Sequence, residues 1–179
     1  MFPWGHLATG YLASRGRLSR TASPHLSALV LAFATQLPDL VDKTFAWYVP
    51  VLPSGRSLAH SLLTATLFLG VVWVALARVD REAYATVFGI GYLSHLGGDA
   101  LHPVVTADWA SLTFLVWPLL PLPSYQGPTG ASLILGIEPS PFVLFELGLT
   151  LFAVALWILD DAPGLAILTR PRAALGIGK

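Results

Sequence analysis

Between His60 and Arg78 the chain runs for 17 residues, Ser61 to Ala77, without one charge. At ~1.5 Å of rise per residue, such a run nearly spans the ~30 Å hydrocarbon core of a bilayer. After a tight polar turn at 79–82, the 16 residues from Ala83 to Gly98 hold no Asp, Glu, Lys or Arg. A third run, Phe142 to Leu159, carries a single acid, Glu146. Only 11% of the 179 residues are charged, against ~25% in a typical soluble domain. That is too little charge to cover a water-soluble sphere of this size. The reading is an all-α integral membrane bundle, a single membrane-embedded domain over residues 1–179. The same composition argues against disorder, coiled coils and collagen-like repeats.

Two shorter apolar segments, 4–13 and 26–38, bring the bundle to about five, some shorter than a full span. The first gives way to a polar loop at Arg15–Arg20. The second stops at Pro38, because the residue before a proline is pushed out of the helical region. Residues 39–57 then read as a loop with at most a helical turn. Residues 103–141 are apolar but broken by prolines, and read as re-entrant or interfacial. The N-terminus has no basic stretch ahead of its apolar one, so it does not read as a cleaved signal peptide.

If all five segments cross, Arg15, Arg17, Arg20, Arg78, Arg81, Arg170, Arg172 and Lys179 fall on one side, and Lys43 and Arg56 on the other. The positive-inside rule then makes the arginine side cytoplasmic. The expected location is the cell membrane, multi-pass. Net charge is zero and no basic patch is visible, so nucleic acid is not an expected partner. Membrane lipid is.

The same threading sends the acids and histidines to the opposite, extracytoplasmic end. His6 precedes the first segment, Asp39 and Asp42 follow the second, His60 opens the third, and His95 and Asp99 close the fourth. His95, Asp99 and His102 stand at i, i+4 and i+7, within about 60° of one another on a helix. Imidazole and carboxylate at this spacing suit a divalent metal, most of all zinc, with manganese or iron as alternatives. The absence of cysteine removes thiolate ligands and thiol nucleophiles. A shared site requires His60 and His95 within ~12 Å of each other, since each ligand stands at ~2.0–2.2 Å from its ion.

Each residue also has a plainer reading. A histidine near a helix end is often an interfacial residue, and Asp39 suits a helix cap. Acids beside apolar spans are costly, which makes Asp99 harder to explain without a function. Glu146 is a candidate ligand or general base, or the partner of another polar group. Arg56 either clamps a substrate phosphate or snorkels to the interface. His102, just before Pro103, is an open candidate ligand. His25 falls on the arginine side and reads as loop or interface.

The strings WGH at 4–6, LPDLVDK at 37–43, GRSLAHSLL at 55–63 and GYLSHLGGDALHP at 91–103 together resemble the membrane-bound metal-dependent hydrolase family. That family is also described as LexA-binding, inner-membrane-associated hydrolases. The resemblance covers a motif-bearing core at about residues 1–105; the C-terminal third, with its span at 142–159, has no matching motif. The family is distantly similar to the zinc-dependent phospholipase C and P1 nuclease group. The resemblance implies a helical fold and a His/Asp metal cluster that cleaves phosphodiesters. It also implies His6, Asp39, His60, His95 and Asp99 as ligands. Gly55 stands where many relatives have histidine, and Asp39 and Asp42 are one residue further apart than the paired acids of many relatives. Both departures imply fewer metals than in the phospholipase group.

The expected function is hydrolysis of a phosphoester or lipid-like ester by metal-activated water, with Asp42 or Glu146 as general base and an amphiphile as substrate. The alternative is a non-catalytic membrane protein whose His/Asp cluster is structural or serves a partner.

Overall fold

A computed structural model describes residues 1–123 and 135–169. Arg170, Arg172 and Lys179 of the charge argument, and residues 124–134 of the broken segment, lie outside the described residues. Five long helices carry the chain: α1 (Pro3–Leu18), α2 (Pro24–Lys43), α3 (Leu62–Ala77), α4 (Glu82–Val105) and α5 (Pro141–Leu159). A π-helical turn, Thr44–Tyr48, extends α2, and a 3-10 helix, Trp109–Val116, follows α4. No strand occurs among the described residues.

Local chemistry sets the starts. Pro3, Pro24 and Pro141 sit in the first turns of their helices, where a missing N–H costs nothing. The Ser23, Ser61 and Ser140 hydroxyls each accept a backbone N–H of the helix they precede, at 3.2 Å.

Three expected boundaries are corrected. α1 continues through Arg15 and Arg17 instead of ending at 13. Cations in a last turn meet the negative end of the helix dipole, so the arginines prolong the helix. α2 does not stop at Pro38 but runs on to Lys43. Pro38 is buried there; it removes the one N–H that would reach the Ala34 carbonyl, and the helix continues past it. Residues 39–43 are therefore helical, which puts Asp39, Asp42 and Lys43 at the end of a rigid rod. α4 likewise passes Pro103.

α4 is the centre of the bundle and packs on α1, α2 and α3, whereas α5 packs chiefly on α1. Ala34, Ala65, Phe88, Tyr92 and Leu96 form one core cluster, and Ala8, Tyr11, Leu18, Leu31, Val87 and Ala153 the other. Gly91 lets α2 and α4 close up, since a Cβ there would stand 3.1 Å from the Leu31 carbonyl. At one end, Arg15 grips Asp160 through Nε at 2.5 Å and Nη2 at 2.7 Å, and the Tyr84 hydroxyl accepts the Ser23 N–H at 3.1 Å. His25 lies at this end too, its Nδ1 accepting the Gly164 N–H at 3.0 Å.

Of the five expected crossings, one is met by length and composition: among the described residues only α5 is long and apolar enough to cross a membrane. α3 is as apolar but has 16 residues. Both leave large apolar side chains uncovered, Leu67 and Val71 on α3, Leu151 and Ile158 on α5.

Candidate metal centre

The loop before α3 wraps the end of α2. The Asp42 carboxylate is its peg: Oδ2 accepts the Ser57 N–H at 2.7 Å and the His60 N–H at 3.3 Å, and Oδ1 accepts the Ala59 N–H at 2.9 Å. The same carboxylate reaches His60 Nδ1 at 2.8 Å. An ionised carboxylate only accepts, so Nδ1 carries a hydrogen, and Nε2 is the nitrogen whose lone pair is free whenever the ring is neutral. His95 on α4 obeys the same logic. Its Nδ1 is 2.6 Å from the carbonyl of Thr35. A carbonyl only accepts, so the same holds for His95 Nε2.

These two nitrogens face each other at 3.1 Å. Asp39 Oδ1 lies 3.5 Å from His60 Nε2 and 3.7 Å from His95 Nε2; Asp99 Oδ2 lies 3.4 and 3.8 Å from the same atoms. Four lone-pair donors repel at such separations unless a cation lies among them. Two ligands at ~2.0–2.1 Å from one tetrahedral ion stand about 3.3 Å apart, so the spacing fits one ion. Asp39 Oδ1 and Asp99 Oδ2 are buried and accept no hydrogen bond of good geometry, although Arg56 Nε stands 2.8 Å from the latter. Asp39, His60, His95 and Asp99 form the group able to hold the ion, all four buried. Burial would push the His60 imidazolium down, but Asp39, Asp42 and Asp99 outweigh it and raise its pKa to about 10. Without a metal, a proton takes up the demand for positive charge.

The sequence matches the family described as YdjM inner membrane protein over residues 1–161. The chain belongs to the YdjM inner membrane protein family. No curated protein and no solved structure matches it. The YdjM family description speaks of a membrane, as the apolar α5 does, and the chemistry must be read from the residues.

The remaining candidates surround the four central residues of this YdjM-family chain. His6 stacks on His95, ring centroids 3.7 Å apart, with Nε2 3.3 Å from Asp99 Oδ1, beside the group and not in it. Gly98 permits this approach: a Cβ there would meet His6 Nδ1 at 3.3 Å. The Met1 amino group is 2.6 Å from Asp99 Oδ1. Arg56 donates from Nη2 to Asp99 Oδ1 at 3.0 Å, and its Nε stands 2.8 Å from Oδ2 as an ion pair. Glu146 enters from α5, fully buried, with Oε2 accepting the Phe2 N–H at 2.9 Å. His102 stands apart, edge-on to Phe142 with ring centroids 4.8 Å apart, and lines the cavity over the site.

Sequence reasoning missed Thr35, Lys43, Trp47 and Phe114. Lys43 pairs with Asp39 and lies over the Trp47 ring, 5.7 Å from its centroid. The i, i+4 spacing would have signalled that pair had α2 been carried past Pro38. Phe114, wholly buried, packs edge-on against His60 with centroids 6.1 Å apart. The Thr35 carbonyl leaves no trace in a sequence.

Proposed function

We propose that this chain is a membrane-embedded, metal-dependent hydrolase acting on a phosphoester or lipid-like ester. The observation that carries the reading is the pair of facing Nε2 atoms, with Asp42 and Thr35 engaging the opposite ring nitrogens and two carboxylate oxygens completing the set. Two imidazoles and two carboxylates without thiolate suit zinc best; manganese and iron also take this set. A divalent ion there supplies Lewis-acid charge and lowers the pKa of a water to near neutrality.

The side chains divide the remaining work. Asp39, His60, His95 and Asp99 would hold the ion, with His6 alongside. Asp42 has both oxygens committed to His60 and its loop, which suits an orienting group and not a base. Glu146 faces the same cavity with no cation paired to it among the described residues, which favours it as general base. Arg56 holds Asp99 and borders the cavity, within reach of a substrate anion. The site lies away from the Arg15–Asp160 end, so the positive-inside rule puts it on the extracytoplasmic face of a multi-pass bundle.

The test is elemental analysis of detergent-purified protein, wild type against the double variant His95→Ala, Asp99→Ala. Stoichiometric zinc, manganese or iron, lost in the variant, is expected, followed by hydrolysis in a screen of phosphodiester and lipid esters. No metal in a folded wild type would overturn the reading and leave a non-catalytic membrane protein.

A further inference from the structure

A cavity of about 480 Å³ reaches the centre at Asp99, which lines it. Two cations border it from different elements, Lys43 at the end of α2 and Arg56 in the loop before α3. Each is attached to one of the carboxylates of the centre, Lys43 to Asp39 and Arg56 to Asp99. Neither is used up. An ammonium has three hydrogens, and among the described residues Lys43 gives one to a carboxylate. A guanidinium has five in a planar fork, and Arg56 commits its Nε and Nη2 to Asp99. The cations are also more open than their partners: the side chains of Lys43 and Arg56 are 21% and 41% exposed, those of Asp39 and Asp99 10% and 1%.

Asp99, Asp108 and Glu146 line the cavity as well, so what marks the two cations is their leftover N–H groups on two sides, the donors that phosphate oxygens accept. The rest of the lining decides what carries the phosphate. Trp47, Phe114, Leu122 and Phe142 line the same cavity. Trp47 is seated on Gly55, where a Cβ would meet the indole at 3.1 Å, so the glycine keeps this aromatic wall in place.

We propose that Lys43 and Arg56 form a two-cation clamp for the phosphate of an amphiphile, whose apolar part lies against the aromatic wall. The assignment rests on the hydrolase reading for its site, but it concerns binding and does not need turnover.

The experiment is isothermal titration of the detergent-purified, metal-loaded protein with dihexanoyl phosphatidate, dihexanoylglycerol and inorganic phosphate. Phosphatidate is expected to bind at least about tenfold tighter than either, since one charge-assisted hydrogen bond is worth that much. Lys43→Gln and Arg56→Gln should each weaken it about tenfold to a hundredfold, while Lys43→Arg restores it. Trp47→Ala should weaken phosphatidate and leave inorganic phosphate unchanged. Diacylglycerol binding as tightly as phosphatidate would overturn the clamp, and so would indifference to both Gln variants. Inorganic phosphate binding as tightly as phosphatidate would overturn the amphiphile. Phosphatidate bound but never cleaved would keep the clamp and remove phosphatidate as the ester of the hydrolase reading. Metal bound without phosphatidate would refute the clamp alone.

Discussion

Replacing Asp42 by asparagine leaves the shape of the peg and changes its hydrogen-bonding sign on one side. Four N–H groups converge on Asp42, three on Oδ2 and one on Oδ1. Asparagine offers one oxygen and one NH2. With its oxygen in the Oδ2 position it keeps Ser57 and His60 but turns two hydrogens toward the Ala59 N–H. In the other orientation the NH2 meets His60 Nδ1, and the ring relieves the clash by moving its hydrogen to Nε2. That tautomer has no lone pair for the ion. The first orientation removes the negative charge behind His60 Nδ1, a change of the kind that costs about tenfold to a hundredfold in metal affinity. The second removes a ligand outright. Zinc affinity, read by competition with a chelator of known strength, is therefore expected to fall at least about tenfold in Asp42→Asn. Circular dichroism checks that the helices persist. Ser57→Ala is the control, because Ser57 reaches Asp42 through its backbone and its hydroxyl bonds Ser54; it should leave affinity within about twofold. An Asp42→Asn protein with full helicity and wild-type affinity would refute the orienting role and the shared centre with it.

Three further outcomes follow from the fold. Gly91→Ala forces a Cβ against the Leu31 carbonyl and should destabilise by about 1–3 kcal/mol; Gly89→Ala, which meets nothing within 4 Å, should be neutral or gain up to ~1 kcal/mol, and thermal melting in detergent separates the two. The Asp160 carboxyl is held down to about 2 by Arg15 and Tyr11. Its folded value lies below the ordinary ~3.9, so its contribution is complete above about pH 4 and is lost as pH falls toward 2. The melting temperature of wild type should drop across that window more than that of Asp160→Asn, and parallel curves would remove the link. A reporter fused after Lys179 should be cytoplasmic; an extracytoplasmic signal would reverse the orientation and the side assigned to the site.

Much of the centre was legible because the order of polar residues along apolar segments dictates which end of the bundle each one reaches. His60 and His95 come together from either side of the polar turn at 79–82, and their 3.1 Å separation lies well inside the limit that a shared ion sets. The same argument could not grade the ligands. His6, His95 and Asp99 all sit at one depth, and only the packing shows His6 stacked beside the group and His102 turned to Phe142. Local rules erred where tertiary partners intervened. A proline predicts a helix end from its own sterics, yet α2, packed along α4, runs past Pro38 to Lys43. Arg15 looked like loop because it is charged, yet it finds Asp160 across the bundle. Backbone acceptors such as the Thr35 carbonyl carry no residue-type signal at all.

The candidate ligands Asp39, His60, His95 and Asp99 all precede residue 100, whereas α5 begins at Pro141 and joins the bundle through α1. A chain made from its N-terminus therefore has every one of them out before its most membrane-like helix is synthesised. The last helix brings Glu146, one wall of the cavity and the lock at Asp160. Synthesis thus separates two parts along one polypeptide: the four side chains that could hold a metal come first, and the acid proposed to work beside them comes with the last long helix.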